Sequence, residues 1–469
     1  MIARRSLVLV GFIAVFLCSA ARAFAAGTGA REAARRYVSE YGRVRGASTG
    51  EEKIPSFARQ TGLGCNVCHS SFPRLTAFGR RFKLAGYTMT TGKSITAGES
   101  RPRLRLPELP PPSAMLEASF TSLKNEVPGT QNGDVAMPDQ LSVFLGGAVT
   151  PNLGAFVQLT YAGTDGSLGI DNVDIRYARQ GHLGSQSVLY GLTLNNNPTV
   201  QDVWNTTAAW GFPYAGSPVA PTPTAGTQID GALAQASAGL GAYALWADLL
   251  YTEFSVYRSA PQGGPNPPDA SAEGTLNGVA PYWRVALQRN FGKLYAMAGT
   301  YGLRASRYPT GVQGLRDTYT DVAFDGQLEL PAGPGTMLGH ATYIHEKQAL
   351  DATFDADGSA NPTNTLRAFR ADGSYLLNGG IGLTLGYFQT TGDADATLYA
   401  PDPVVGSAVG MPNSRGFIGE LEYSPWLNTH VTLQYVAYSK FNGTGTDYDG
   451  SGRSASDNNT LYMLLWLAF

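Results

Sequence analysis

Over most of the chain, apolar residues fall at every second position. In 114–122, Leu116, Ala118 and Phe120 share one face, while Met115, Glu117, Ser119 and Thr121 share the other. In 155–161, Val157, Leu159 and Tyr161 oppose Phe156, Gln158 and Thr160, and in 317–329, Val322, Phe324 and Leu328 oppose Asp321, Asp325, Gln327 and Glu329. A two-residue period is the mark of a strand with two unlike faces. About sixteen such runs are expected, near 114–123, 140–149, 154–162, 170–178, 186–195, 229–237, 241–257, 280–289, 293–304, 317–329, 335–346, 365–374, 380–389, 415–423, 429–439 and 459–469.

The connections between these runs alternate in length. Links at 151–153, 179–185, 238–240, 290–292, 331–335, 375–379 and 424–428 are short. Polar loops at 196–228, 258–279, 305–316, 347–364, 390–414 and 440–458 are long, with 163–169 the short exception. A transmembrane β-barrel has short periplasmic turns and long outer loops. An all-β transmembrane barrel of about sixteen antiparallel strands is therefore expected, with both of its ends on the periplasmic side. Loop 196–228, which holds Trp204 and Trp210 amid polar residues, is expected to fold inward. The last run places Leu461, Met463, Leu465, Leu467 and the terminal Phe469 on one face, similar to the C-terminal assembly signal of bacterial outer-membrane barrels.

Before residue 113 the alternation is absent. Arg4 and Arg5 precede an apolar stretch, Leu7 to Ala21, and small-residue cleavage sites at 21–25 follow. Residues 1–26 read as a secretion signal, which would remove Cys18. After it, no apolar run is long enough for a membrane helix. Residues 27–50 read as a loose helix or spacer, within a small N-terminal α-helical/coil domain at 27–100. The proline-rich run 101–112 reads as a stiff linker, and the barrel occupies 113–469. Charge divides the same way: residues 27–106 hold 15 basic and 5 acidic side chains, residues 107–469 hold 16 and 31. Lumen-facing Glu117, Asp174, Asp321, Asp325, Glu329, Glu420 and Glu422 would draw the basic domain to the periplasmic mouth or into the lumen. Acidic outer loops, with Asp355, Asp357, Asp393, Asp395, Asp447 and Asp449 among them, would concentrate cations or merely keep the surface soluble.

Chemistry concentrates at Cys65-Asn66-Val67-Cys68-His69. Two thiols at this spacing can bond the two vinyl groups of one haem, and the next histidine can ligate its iron. A zinc site lacks a second cysteine pair, a thioredoxin-like site lacks its βαβ setting, and a disulfide remains the ordinary use of such a pair in a secreted chain. The expectation is one covalent haem c on Cys65 and Cys68, with His69 as the metal ligand. Met89 and Met115 stand as candidates for the second axial ligand. His182, His340, His345 and His430 read as structural or surface imidazoles.

The block Pro55 to Gly62, the haem motif, Pro73 to Arg80 and Phe82 to Tyr87 resembles the fused monohaem cytochrome–porin family of outer-membrane iron oxidases. The segment Asn195 to Asn205 is similar to a barrel segment of the same family. The resemblance implies oxidation of extracellular Fe(II), with electrons passed through the haem to a periplasmic cytochrome or cupredoxin. Lipid of the outer membrane would surround the barrel, and no nucleic acid is expected as a partner. Two other readings stay open: the same conduit run outward to an external acceptor, or a diffusion porin whose haem domain is a plug or sensor.

Overall fold

A computed structural model of the protein describes residues 55–90, 94–96, 105–107, 112–259, 274–309 and 314–469. The expected signal peptide and spacer lie outside the described residues. Three short helices, Ser56–Thr61, Cys65–Cys68 and Ala77–Leu84, come first, with β1 (His69–Ser71) and β2 (Arg74–Leu75) forming a small hairpin between the last two. Next, β3 (Ser94–Thr96) pairs with β4 (Arg105–Pro107), so part of the run read as a linker is a strand.

The barrel strands are β5 (Pro112–Leu123), β6 (Asp134–Ala148), β7 (Leu153–Ala162), β8 (Ser167–Leu183), β9 (Gln186–Asn195), β10 (Ser237–Trp246) and β11 (Leu250–Ser259). The two-residue β12 (Thr275–Leu276) pairs with β14, and β11 pairs directly with β13. The circuit continues through β13 (Ala280–Phe291), β14 (Leu294–Tyr308), β15 (Asp317–Ala332), β16 (Gly335–Ala349), β17 (Thr363–Leu377), β18 (Ile381–Gly392), β19 (Ser414–Trp426), β20 (Thr429–Lys440) and β21 (Thr460–Ala468). β21 pairs with β5 from Thr460↔Leu123 to Ala468↔Met115, which closes an antiparallel barrel of sixteen long strands. Closure leaves no open edge, so every strand can satisfy its backbone within a membrane. No described helix is long and apolar enough to cross one.

The strand faces follow the alternation. On β6, Leu141, Val143 and Leu145 are exposed and Ser142 is fully buried. On β21, Met463, Leu465 and Phe469 point out, while Tyr462, Leu464, Trp466 and Ala468 are buried inside. Trp246, Phe291, Tyr423, Trp426 and Phe469 are exposed at strand ends beside the short turns, the level at which a barrel carries its aromatic girdle.

Two of the sixteen expected runs are misplaced, and the errors cancel in the count. The run at 229–237 is not a strand: it opens with a single π-helical turn, Gln228–Ala232, and Ile229 and Leu233 are buried four residues apart in one lumen cluster. The run at 241–257 is two strands, β10 and β11. They meet at a tight turn in which Ala247 and Asp248 take φ of 54° and 52°. No glycine or proline marks that turn, and so the apolar pattern reads straight through it.

The lumen is filled from both ends. The segment 55–90 lies among residues next to the short turns, including Asp248, Glu329, Ser374, Thr384, Glu422, His430 and Trp466. From the opposite end, the long connection 196–236 folds inward as expected. Val200, Val203 and Trp204 are buried, and the Trp204 indole donates to Tyr295 Oη at 2.8 Å. Wall residues that an open channel would leave wet are consequently enclosed. Asp174, Arg176, Arg284 and Glu346 are each at most 1% exposed.

The outer loops use several of their acids on their own backbone. Asp395 accepts from the amides of Ala360, Asn361, Thr397 and Leu398 and from Ser359 and Asn364. Burial opposes its charge, but these donors prevail and hold the carboxyl well below its ordinary range. A depressed folded pKa contributes stability above the unfolded value, and that stability is lost as pH falls through the folded one. Protease cleavage at 356–362 is therefore expected to stay slow from neutrality to below the usual carboxylate range, and to be fast at all pH values in Asp395→Ala. Asp449 likewise accepts from Val404, Ser451 and Arg453 amides, and Asp447 from Gly452. Asp395 and Asp449 are buried in folding their loops and are not presented at the surface.

Candidate functional site

The haem-type motif is built on a short, tightly braced scaffold. Gly62 ends the first helix in the left-handed region, φ 68°, with its N–H on Ala58 O. One helical turn then carries Cys65 and Cys68, and His69 leaves it in extended geometry. Thr76 caps the next helix by accepting from Gly79 N, and its hydroxyl donates to Val67 O at 2.6 Å. One side chain thus locks the cysteine turn to helix Ala77–Leu84. Gly79 permits that approach, because a Cβ there would lie 2.1 Å from Cys68 O. Gly79→Ala is expected to destabilise the segment by ~1–3 kcal/mol through overpacking. Faster proteolysis within 55–90, with barrel melting unchanged, would register it.

All five basic residues of the segment are anchored. Arg74 donates to Glu422 at 3.0 Å, Thr384 at 2.9 Å and Ser374 at 3.3 Å, and its guanidinium lies 4.7 Å from the centre of the Tyr214 ring. Arg80 reaches Glu329 at 3.4 Å and covers Tyr295 at 4.2 Å. Arg81 pairs with Asp248, and Arg59 donates to Pro112 O. Lys83 donates to the carbonyls of Val200 and Asp202 at 2.6 and 2.9 Å, which joins the segment to the inward loop. Tyr87 adds a hydrogen bond to Asp174 at 2.6 Å. Of the acids expected to draw the segment in, Asp174, Glu329 and Glu422 contact it. Asp321 and Asp325 instead hold the inward loop, through Ile229 N and Thr206.

The structure brings Cys65, Cys68 and His69 together, and no disulfide joins the two cysteines. Burial by the surrounding wall, with Cys65 beside it, pushes the Cys68 thiol up to about 12, so it does not act as a thiolate at neutral pH. The same enclosure lowers His69 to about 4, against the raising effect of the Pro73 carbonyl, and keeps the imidazole neutral. His69 Nδ1 sits 3.2 Å from Pro73 O, which leaves Nε2 as the ligating nitrogen. Nearby, Phe72 packs 5.1 Å from the His69 ring and stacks on Trp466 at 4.7 Å. His430 lies 4.7 Å from the same indole and is held by Ser424 at 2.6 Å. The buried Trp466 Nε1 and Asn66 Oδ1 have no hydrogen-bond partner. Two thiols on one turn, an oriented neutral imidazole and an aromatic wall are features that a c-type haem would use, and Cys65, Cys68 and His69 are the residues that would hold it.

The two methionines are placed differently. Met89 follows a backbone pinned by Gln60, whose Nε2 donates to Tyr87 O and Met89 O. Met115 faces the lumen in the cluster containing Trp466, Tyr462 and Leu464. Sequence reading missed Phe72, Trp466 and His430 as neighbours of the motif. The inward face of β21 was open to inference from its alternation, but its contact with Phe72 was not.

No family model matches this chain, and no curated protein matches it in sequence. Among solved structures, in-vitro folded OmpT, an outer membrane protein of Vibrio cholerae, is similar at 14% identity and a TM-score of 0.40, covering 76% of this chain and 96% of its own. The outer membrane channel DcaP of Acinetobacter baumannii is similar at 12% identity and 0.43, covering 76% and 96%. The anion-selective porin from Comamonas acidovorans is similar at 12% identity and 0.42, covering 76% and 98%. The strand pairing above defines the barrel without them.

Proposed function

We propose that this protein is an outer-membrane electron conduit that carries one covalent c-type haem on Cys65 and Cys68, with His69 as an axial ligand. The observation that carries the reading is the seating of the haem-type motif inside a barrel whose lumen is filled. A filled lumen suits the passage of electrons better than of solutes; in the diffusion-porin reading the same filling is the plug. The bound haem would supply reversible one-electron chemistry at iron. The chain's own residues would hold it: the two thiols would anchor the ring, His69 is oriented by Pro73, and the wall of β5, β20 and β21 would exclude water and lipid. Extracellular Fe(II) as donor, and a periplasmic cytochrome or cupredoxin as acceptor, come from the family resemblance. The closed barrel, its apolar exterior and its aromatic ends support the outer membrane as the location.

Two measurements test this. Cys65→Ala with Cys68→Ala is expected to yield an assembled barrel with no haem retained through denaturing electrophoresis. Anaerobic Fe(II) added to the purified wild type is expected to produce a reduced c-type spectrum. Haem retained by the double variant would end the covalent assignment, and a haem that Fe(II) leaves oxidised would end the iron reading.

A further inference from the structure

His340 is one of the few imidazoles buried within the barrel, and nothing above gives it a task. It projects into the lumen from β16 at 6% exposure, and its Nδ1 lies 3.0 Å from Asp372 Oδ2 on the neighbouring β17. A carboxylate on Nδ1 fixes the proton there and leaves Nε2 as a bare acceptor. That Nε2 is buried and has no partner. Directly across on β15 is Gln327, paired with His340 in the sheet register, 3% exposed, with a buried and unpartnered Oε1. Opposed inward side chains on an antiparallel pair stand ~4.5–5.5 Å apart at Cβ. Two buried, unpartnered acceptors therefore share one patch of wall.

The row lies at the seam between the two fillings of the lumen. On one side, Asp325 and Thr342 form the next inward row and hold Thr206 of the inward loop. On the other, Glu329 and Ser374 receive Arg80 and Arg74 of the N-terminal segment. Both guanidiniums are already matched, Arg80 by Glu329 and Arg74 by Glu422, so the local field is not that of uncompensated cations. Asp372 and Glu420 add negative charge on the same inner wall, and Glu420 is engaged by Gln434.

We infer that His340 Nε2 and Gln327 Oε1 form a lumen binding site for a divalent transition-metal ion, with Asp372 as the positioning residue that orients the imidazole. An imidazole backed by a carboxylate is a recurrent metal-ligand arrangement, and mixed nitrogen and oxygen donors suit Fe(II), Zn(II) and Ni(II). Among the described residues no three His, Cys, Asp or Glu side chains converge as a metal cluster. The site therefore relies on one imidazole, one amide and water, and holds its ion loosely. The metal site stands independently of the haem; Fe(II) as its natural ion rests on the proposed function.

Zn(II), which is redox-inert, is the probe, measured by equilibrium dialysis on the full-length protein in detergent. The wild type is expected to bind one equivalent that His340→Ala and Gln327→Leu both lose, with the barrel still heat-modifiable on gels. Asp372→Asn is expected to weaken it by roughly 10–100-fold. His345→Ala, on the outward face of the same strand, is expected to leave it intact. Unchanged Zn(II) uptake in His340→Ala, or a loss confined to His345→Ala, would overturn the site. A wild type without covalent haem that still binds Zn(II) through His340 would remove the proposed function and keep the site. Covalent haem without His340-dependent Zn(II) binding would do the reverse.

Discussion

Arg74→Glu is expected to release the N-terminal segment from the barrel while the barrel itself stays assembled. Arg74 is 1% exposed and donates to three wall residues on β17, β18 and β19. Reversal would place a second carboxylate against Glu422 in an enclosed site. Removing one partner of a buried pair costs about 3–5 kcal/mol, since the other charge is left uncompensated. Of the remaining ties, Arg81 faces an Asp248 whose side chain is 60% exposed, and such pairs contribute about 0–1 kcal/mol, whereas the hydrogen bonds of Lys83 and Tyr87 are buried. The barrel's strand ladders do not depend on Arg74. Limited proteolysis should therefore cut within 55–90 in the variant and leave a heat-modifiable barrel. Arg74→Glu combined with Glu422→Arg should restore part of the protection. A segment that stays protected in the single variant would show that Lys83, Tyr87 and the aromatic contacts suffice without Arg74.

That docking was legible in the sequence as a sign but not as a set of partners. The excess of basic residues before 107 and of acidic ones after it sets an attraction, and the inward faces of β8, β15 and β19 follow from alternation alone. Which acid meets which base depends on strand tilt and on the path of loop 196–236, and neither has a local signature. Hence Asp321 and Asp325, grouped by sequence with Glu329 and Glu422, turn out to hold the loop. The Cys65–His69 motif was legible as a pattern because its residues are consecutive in the chain. The wall it faces was not, since Phe72 meets Trp466 and His430 only once the barrel closes. His340 shows the same limit: its pairing with Asp372 is a cross-strand contact, and from sequence it read as an ordinary imidazole. The turn at Ala247 and Asp248 failed for a local reason, because residues without glycine's freedom took φ above zero and left the apolar rhythm unbroken.

Arg284 controls the second seal, and its loss is expected to free the inward loop. Its guanidinium contacts Asp325 on β15 and lies 3.5 Å from Asp202 of the loop, with the Trp204 ring 4.9 Å away. All three charged side chains are at most 1% exposed. Arg284→Ala would leave two carboxylates enclosed without their cation, again about 3–5 kcal/mol. The loop's remaining anchors, such as Trp204 on Tyr295 and Ile229 N on Asp321, would have to hold it alone. Neither Arg284→Ala nor Arg74→Glu should open a wide pore by itself, because the other filling still blocks the lumen. The double variant removes both blocks. In planar bilayers the wild type and each single variant are expected to show little steady conductance, whereas the double variant should open stable channels of porin size. Large channels in the wild type would mean that the fillings do not seal the lumen, and would return the diffusion-porin reading to the front. A double variant as closed as the wild type would mean that contacts other than these two arginines keep the fillings in place.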